Sequence, residues 1–145
     1  MEIVTRPWQQ AYQEAFRVRK QVFIDEQGVP EEMELDEFDP ISRHALAYVD
    51  TLCVGTARLV NTNSLQAQIG RMAVLSRFRK QGIGSALLTH LICLAKEEGA
   101  QTLTLHAQLD AIPFYEKFGF IAEGPTYAEA GIPHRNMMLL IPKSF

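Results

Sequence analysis

Only two cysteines occur in this chain, Cys53 and Cys93. Both sit among apolar residues, with no Cys-x-x-Cys spacing and no neighbouring His/Cys group, which argues against a disulfide framework or a zinc site. Two reduced, buried, small hydrophobes are expected. Tryptophan occurs once, as Trp8. No stretch approaches the ~18 consecutive apolar residues of a membrane span. The opening Met1-Glu2-Ile3-Val4-Thr5-Arg6 lacks the basic-then-apolar order of a secretory leader, so a cytoplasmic location is expected. Positive charge is also scarce. With 14 Lys and Arg against 17 Asp and Glu, net charge −3, there is no broad basic field. Neither nucleic acid nor an anionic membrane is expected as a partner. Internal repeats and low-complexity segments are absent as well.

What remains is an ordinary globular composition. A hydrophobic fraction of 47% with 21% charged residues is enough to fill a core, unlike a disordered chain. At 145 residues a single domain over 1–145 without a linker is expected.

Periodicity supplies the elements. Residues 2–6 alternate as a short strand, and Tyr12, Ala15, Phe16, Arg19, Val22 and Phe23 recur at helical spacing. That helix should stop near Gln27-Gly28-Val29-Pro30, where glycine can cap it and proline cannot extend it. An acidic connection follows, carrying Glu31, Glu32, Glu34, Asp36, Glu37 and Asp39. His44–Val49 and Leu52–Val60 read as a hairpin across Asp50-Thr51, and Gln68–Leu75 as a third strand. Gly82–Glu98 reads as a helix with Ile83, Leu87, Leu91 and Leu94 on one stripe, closed by Gly99. Thr102–Ala107 is predicted as a strand and Ile112–Lys117 as a short helix ending at Gly119. Phe120–Ala122 and Asn136–Ile141 are predicted as extended. This order mixes a hairpin run with βαβ crossovers and predicts an α/β (α+β) domain: a mixed sheet with helices on both faces.

The turn between the third strand and the second long helix carries the chemistry. Arg77, Arg79 and Lys80 precede Gln81-Gly82-Ile83-Gly84-Ser85. A helix N-terminus presents unpaired N–H groups and the positive end of the macrodipole, and glycine lets an anion approach the main chain. Alone, a Gly-x-Gly turn is equally a tolerated helix start with solvated cations. Two rival phosphate sites fail by inspection: no Gly-Lys-Ser/Thr ending is present, and Leu87 stands where a dinucleotide fold needs its third glycine.

The segment Arg79-x-x-Gly82-x-Gly84, preceded by Met72-Ala73-Val74, resembles the acetyl-CoA motif of GNAT-type N-acetyltransferases. Ala111-Ile112-Pro113-Phe114-Tyr115-Glu116-Lys117-Phe118-Gly119-Phe120 resembles that family's second motif. The resemblance implies a GNAT fold with a central, mixed but mostly antiparallel, twisted sheet, and acetyl-CoA as cofactor with coenzyme A as product. It implies that Arg79, Lys80, Gln81, Gly82, Ile83, Gly84 and Ser85 hold the pyrophosphate. Met72, Ala73 and Val74 would then pair with the pantetheine arm. It further implies a small-molecule or peptide amine acceptor, and a homodimer.

Direct acyl transfer needs a neutral amine and an acid for the leaving thiolate. By resemblance Tyr115 is that acid; the alternative is an aromatic that packs beside Phe114 and Phe118. Many relatives carry a glutamate on the strand before the turn, where this chain has Gly70. A carboxylate of the acidic stretch, with Glu26 the candidate, would then act through water, or the amine would arrive neutral. Glu34 and Asp36 are candidates for drawing a cationic acceptor, and a solvated acidic loop is the alternative. His106 and Gln108 share one strand face by parity. His106 is a candidate catalytic residue and Gln108 an acceptor contact, a satisfied core histidine being the alternative. His134, in Ala130-Gly131-Ile132-Pro133-His134, is expected in a loop as an acceptor contact, while His44 and His90 read as structural. Arg19, on the apolar stripe, needs an anionic partner, Glu26 or Asp36, as part of the scaffold, the alternative being that it faces the cleft. Two other readings stay open: a CoA-binding module without turnover, and an acyl-homoserine-lactone synthase, which Arg19-x-x-Val22-Phe23 with Glu34-x-Asp36-x-x-Asp39 partly resembles.

Overall fold

A computed structural model describes residues 1–142. The chain runs β1 (Glu2–Pro7), α1 (Trp8–Arg19), α2 (Glu31–Glu34), β2 (Arg43–Val49), β3 (Leu52–Asn61), β4 (Gln66–Val74), α3 (Ile83–Glu97), β5 (Thr102–Gln108), α4 (Ile112–Glu116), β6 (Ile121–Glu129) and β7 (Ile132–Leu140). Seven strands form one sheet in the order β1-β2-β3-β4-β5-β7-β6. All neighbours are antiparallel except β4 and β5, because the α3 crossover returns the chain in the same direction.

Helix α1 buries Ala11, Ala15, Val18 and Arg19, and Val22 continues the stripe. Tyr12, expected on that stripe, is 47% exposed, because the small alanines let the helix sit close to the sheet and turn the tyrosine outward. Past Arg19 the helix widens into π-helical bonding over Lys20–Glu26, with Gln27 N–H donating to Val22 O at 3.1 Å. Helix α3 buries Ile83, Leu87, Leu88, Leu91 and Ala95 against β2, β3 and β4. Gly55 permits this approach, since a Cβ there would lie 3.0 Å from Leu87 Cδ1 and 3.2 Å from Ile83 Cγ2.

Two features of β4 position the site. Thr56 pairs with Ala73 but Arg58 with Gly70, so β4 carries one extra residue there, a bulge that leaves Arg71 at φ 53°. Beyond this bulge β4 also parts from β5: their pairing covers only Gln66–Ile69 and Thr102–Leu105. The two strands diverge from Gly70 and His106 onward, opening a gap in the sheet with one unpaired strand edge on each side.

Three expectations need correcting. Strands β6 and β7 are far longer than Phe120–Ala122 and Asn136–Ile141. Ala130 (φ 52°) and Gly131 (φ 76°) make a tight two-residue hairpin turn, so His134 lies in a strand and is 7% exposed. Pro133 is tolerated near the strand start. Cys53 is buried, whereas Cys93 is exposed, since it falls on the outer side of α3. Burial raises the Cys53 thiol to about 11, which keeps it protonated and inert. Arg19 pairs with neither Glu26 nor Asp36. Its guanidinium meets Glu34 Oε1 at 2.6 Å and both oxygens of Asp39 at 2.8 and 3.1 Å.

Candidate active site

One wall of the gap is the start of α3. Gly82 occupies the cap position in the left-handed region at φ 83°, with no side-chain cap. The N–H of Ala86 donates to Gly82 O at 3.0 Å, so the amides of Ile83, Gly84 and Ser85 are left without intrahelical carbonyls. Lys80, also left-handed at φ 62°, and Gln81 are exposed beside them. These free donors, the helix dipole and the neighbouring cations suit a phosphate. Arg79 spans the entrance. It donates to Val74 O at 2.9 Å and forms a two-pronged pair with Glu26, at 2.6 and 2.8 Å. The hydrogen bonds from Arg79 hold the Glu26 carboxyl below the usual range. Glu26, a candidate base, is therefore committed to a cation as an acceptor of two hydrogen bonds.

Inside the gap, Met72 from β4 meets Tyr115 from α4. The Tyr115 hydroxyl points at Met72 Sδ across 3.9 Å, and its ring lies edge-on to Phe114 and Phe120, at centroid separations of 5.1 and 6.0 Å. Tyr115 thus packs among aromatics while its hydroxyl faces Met72 on β4. Burial pushes its pKa up to about 12, so the phenol keeps its proton at neutral pH. Ala73 is buried and Val74 half-buried on the same strand edge.

The opposite face of the sheet holds a network of three arginines and three acids. Arg19 bridges Glu34 and Asp39; Arg58 reaches Asp36 at 2.7 Å and Asp39 at 3.0 Å; Arg71 reaches Asp36 at 2.9 Å. Arg71 also donates to Glu34 O at 3.0 Å. Glu34 is 1% exposed, so it is withdrawn from any acceptor, and Asp36 serves two arginines. Both were expected to greet a substrate. Instead they lock α2 and the segment after it onto β3 and the β4 bulge, and leave Glu31, Glu32 and Glu37 as the exposed acids there. Gly70 faces the same network: a Cβ there would stand 4.0 Å from Arg58 Nη2. His44 is structural, its Nε2–H donating to Asp39 O at 2.9 Å, and burial lowers its pKa. His90 bonds Thr5 at 2.5 Å.

On that face the β5 side of the gap carries His106 and Gln108. Gln68 pairs with Thr104 and Ile69 with Leu105, so strand alternation puts Gly70 and His106 on one face, as the first residues past the split. Gln108 Nε2 donates to Gln27 Oε1 at 2.9 Å, tying this wall to the end of α1. His134, opposite Gln108 in register, stands behind them. Sequence reasoning missed Glu129, which reaches His106 at 3.0 Å, and Tyr127, opposite His134. Nothing local marks either residue, because only the length and register of the β6–β7 hairpin bring them to this face.

Known proteins resemble this chain over nearly its whole length. A family model described as acetyltransferase (GNAT) domain matches residues 9–141. The Bacillus subtilis protein YjcF, named as an uncharacterized N-acetyltransferase, is 34% identical over 139 residues, covering 95% of this chain and 99% of that protein. The crystal structure of an acyl-CoA N-acyltransferase from Pseudomonas aeruginosa superposes with a TM-score of 0.85 at 26% identity, covering 94% of this chain and 97% of that one. Escherichia coli ElaA gives a TM-score of 0.85 at 26% identity, over 95% and 99%. With a GNAT domain model matching residues 9–141 and a relative 34% identical over 95% of its length, the chain belongs to the GNAT acetyltransferase family.

Proposed function

We propose that this protein is an acetyl-CoA-dependent N-acetyltransferase in which an amine attacks the thioester directly within a ternary complex. The observation that carries the reading is the placement of α3's free amides at the mouth of the β4–β5 gap, with the Tyr115 hydroxyl inside it. The amides of Ile83, Gly84 and Ser85, with Lys80 and Arg79, suit a pyrophosphate. The edge of Met72, Ala73 and Val74 suits an extended amide-bearing arm, added as a strand is added to a sheet. The donor substrate supplies the activated acyl group. Tyr115, protonated at neutral pH, would give its proton to the departing sulfur.

The acceptor enters from the face of His106 and of α2 with the segment after it. Glu31, Glu32 and Glu37 are exposed there and favour a cationic small-molecule or peptide amine. Incubation with acetyl-CoA and a panel of amines should release free thiol in an amine-dependent manner. Calorimetric binding of acetyl-CoA with no release from any amine would instead favour a binding module without turnover.

Gly82→Val tests the cradle. A left-handed backbone costs an L-residue roughly 1–2 kcal/mol, so the helix start must shift and acetyl-CoA affinity should fall about tenfold. Wild-type affinity by calorimetry in this variant would remove Gly82 from the cradle.

A further inference from the structure

We propose that His106 and Glu129 form the proton-accepting pair for acyl transfer, Glu129 positioning the His106 ring so that Nε2 faces the acceptor. This inference rests on the acetyltransferase reading above. Among the described residues, Glu26 is engaged by Arg79, and Glu34, Asp36 and Asp39 by Arg19, Arg58 and Arg71, while Glu31, Glu32 and Glu37 stand exposed in and just after α2. Gly70 offers no side chain. His106 is the first β5 residue past the split, across the gap from Gly70 and on the same face.

Geometry determines which nitrogen is free. The Nδ1 of His106 lies 3.0 Å from Glu129 Oε1, and a carboxylate accepts, so Nδ1 carries the hydrogen and Nε2 keeps its lone pair. Tyr127 lies edge-on to the ring at 5.9 Å, and its hydroxyl is anchored on Asn136 Oδ1 at 2.5 Å. Behind the carboxylate, His134 donates from Nδ1 to Ile132 O at 2.7 Å and places Nε2 3.6 Å from Glu129 Oε2. The side chains of His106 and Glu129 are 40% and 43% exposed, so a substrate can reach them. The groups facing His106 are thus Glu129 and Tyr127 from β6, Asn136 and, across the carboxylate, His134 from β7, with Gln27 from the end of α1 reaching only Gln108.

The acceptor ammonium gives one proton to His106 Nε2, which later releases it to water. The freed nitrogen lone pair forms the C–N bond, and the C–S bond breaks with its electron pair on sulfur. Tyr115 protonates that sulfur and is restored by the second proton from nitrogen.

Three measurements test the pair. Two-dimensional ¹⁵N–¹H spectra of histidine side chains in the protein without donor should show His106 protonated at Nδ1, and Glu129→Gln should shift it toward the Nε2–H tautomer. His106→Gln should lower kcat/KM about 100-fold with acetyl-CoA affinity unchanged. Glu129→Gln should also lower kcat/KM, by roughly tenfold, with acetyl-CoA affinity unchanged, because the carboxylate holds the productive tautomer. An Nε2–H tautomer in the wild type, or wild-type kcat/KM in His106→Gln, overturns the pair. Wild-type protein that releases no thiol at all overturns the acetyltransferase reading instead, so the two failures are distinct.

Discussion

Tyr115→Phe should reduce kcat about 100-fold, near the lower end of what a positioned general acid contributes, and leave the acetyl-CoA dissociation constant within about twofold. The substitution removes one oxygen and keeps the ring that packs against Phe114 and Phe120, so stability and the gap's shape should persist. The lost term would be about 2.7 kcal/mol of transition-state stabilisation. Because burial holds the phenol up to about 12, Tyr115 should impose no ionisation on the rate near neutrality, and the wild-type profile should contain no tyrosine limb below pH 9. Single-turnover rates in parallel with calorimetry separate the effects. An unchanged kcat would take Tyr115 out of the acid role and return it to packing.

Arg19→Met should be the most destabilising substitution outside the apolar core, by about 3–5 kcal/mol, because it leaves buried carboxylates without their cation. In a domain this size that corresponds to a fall in Tm of roughly 10 °C or more. Burial alone would raise the carboxyl of Asp39, but hydrogen bonds and charge from Arg19 outweigh it and hold it below its ordinary value of 3.8. The wild type therefore gains from Asp39 above that value and loses the gain as pH falls through the lowered one. Without Arg19 the balance reverses in sign, since burial then favours the protonated acid, so the stability gap should be widest at neutral pH and narrow on acidification. Urea denaturation of both proteins at pH 7 and at about pH 3, below that ordinary value, reads this directly. A constant gap would mean that Arg19 contributes packing on Trp8, 5.4 Å from its guanidinium, rather than charge compensation.

The two motifs and the long elements were legible because they are local. Residues 82–98 read as helix from apolar spacing and flanking glycines, and α3 runs Ile83–Glu97. The strand–turn–helix around Arg79 to Ser85 was legible because the turn, its cations and the helix start are contiguous. Less was visible where apolar spacing fitted two neighbouring faces, as with Tyr12. At Ala130-Gly131 a turn signal was read as a loop, which concealed the hairpin and placed His134 wrongly. The partners of Arg19 were beyond reach, since Glu34 and Asp39 meet it only after α2 and the segment after it fold back over β3.

The sequence by itself therefore determined the family, the order of the elements except α2, which falls in the acidic connection, and the turn before α3, all written in residues a few positions apart. The surroundings of the β4–β5 gap on the opposite face were decided by tertiary structure alone. The bulge at Arg71 and the split beyond Ile69 and Leu105 arise from strand register. The same register carries Glu129 across β7 to His106, while Glu26, Glu34 and Asp36 pair with arginines. Long-range pairing of charges depends on which faces the sheet brings together, and no local pattern encodes that.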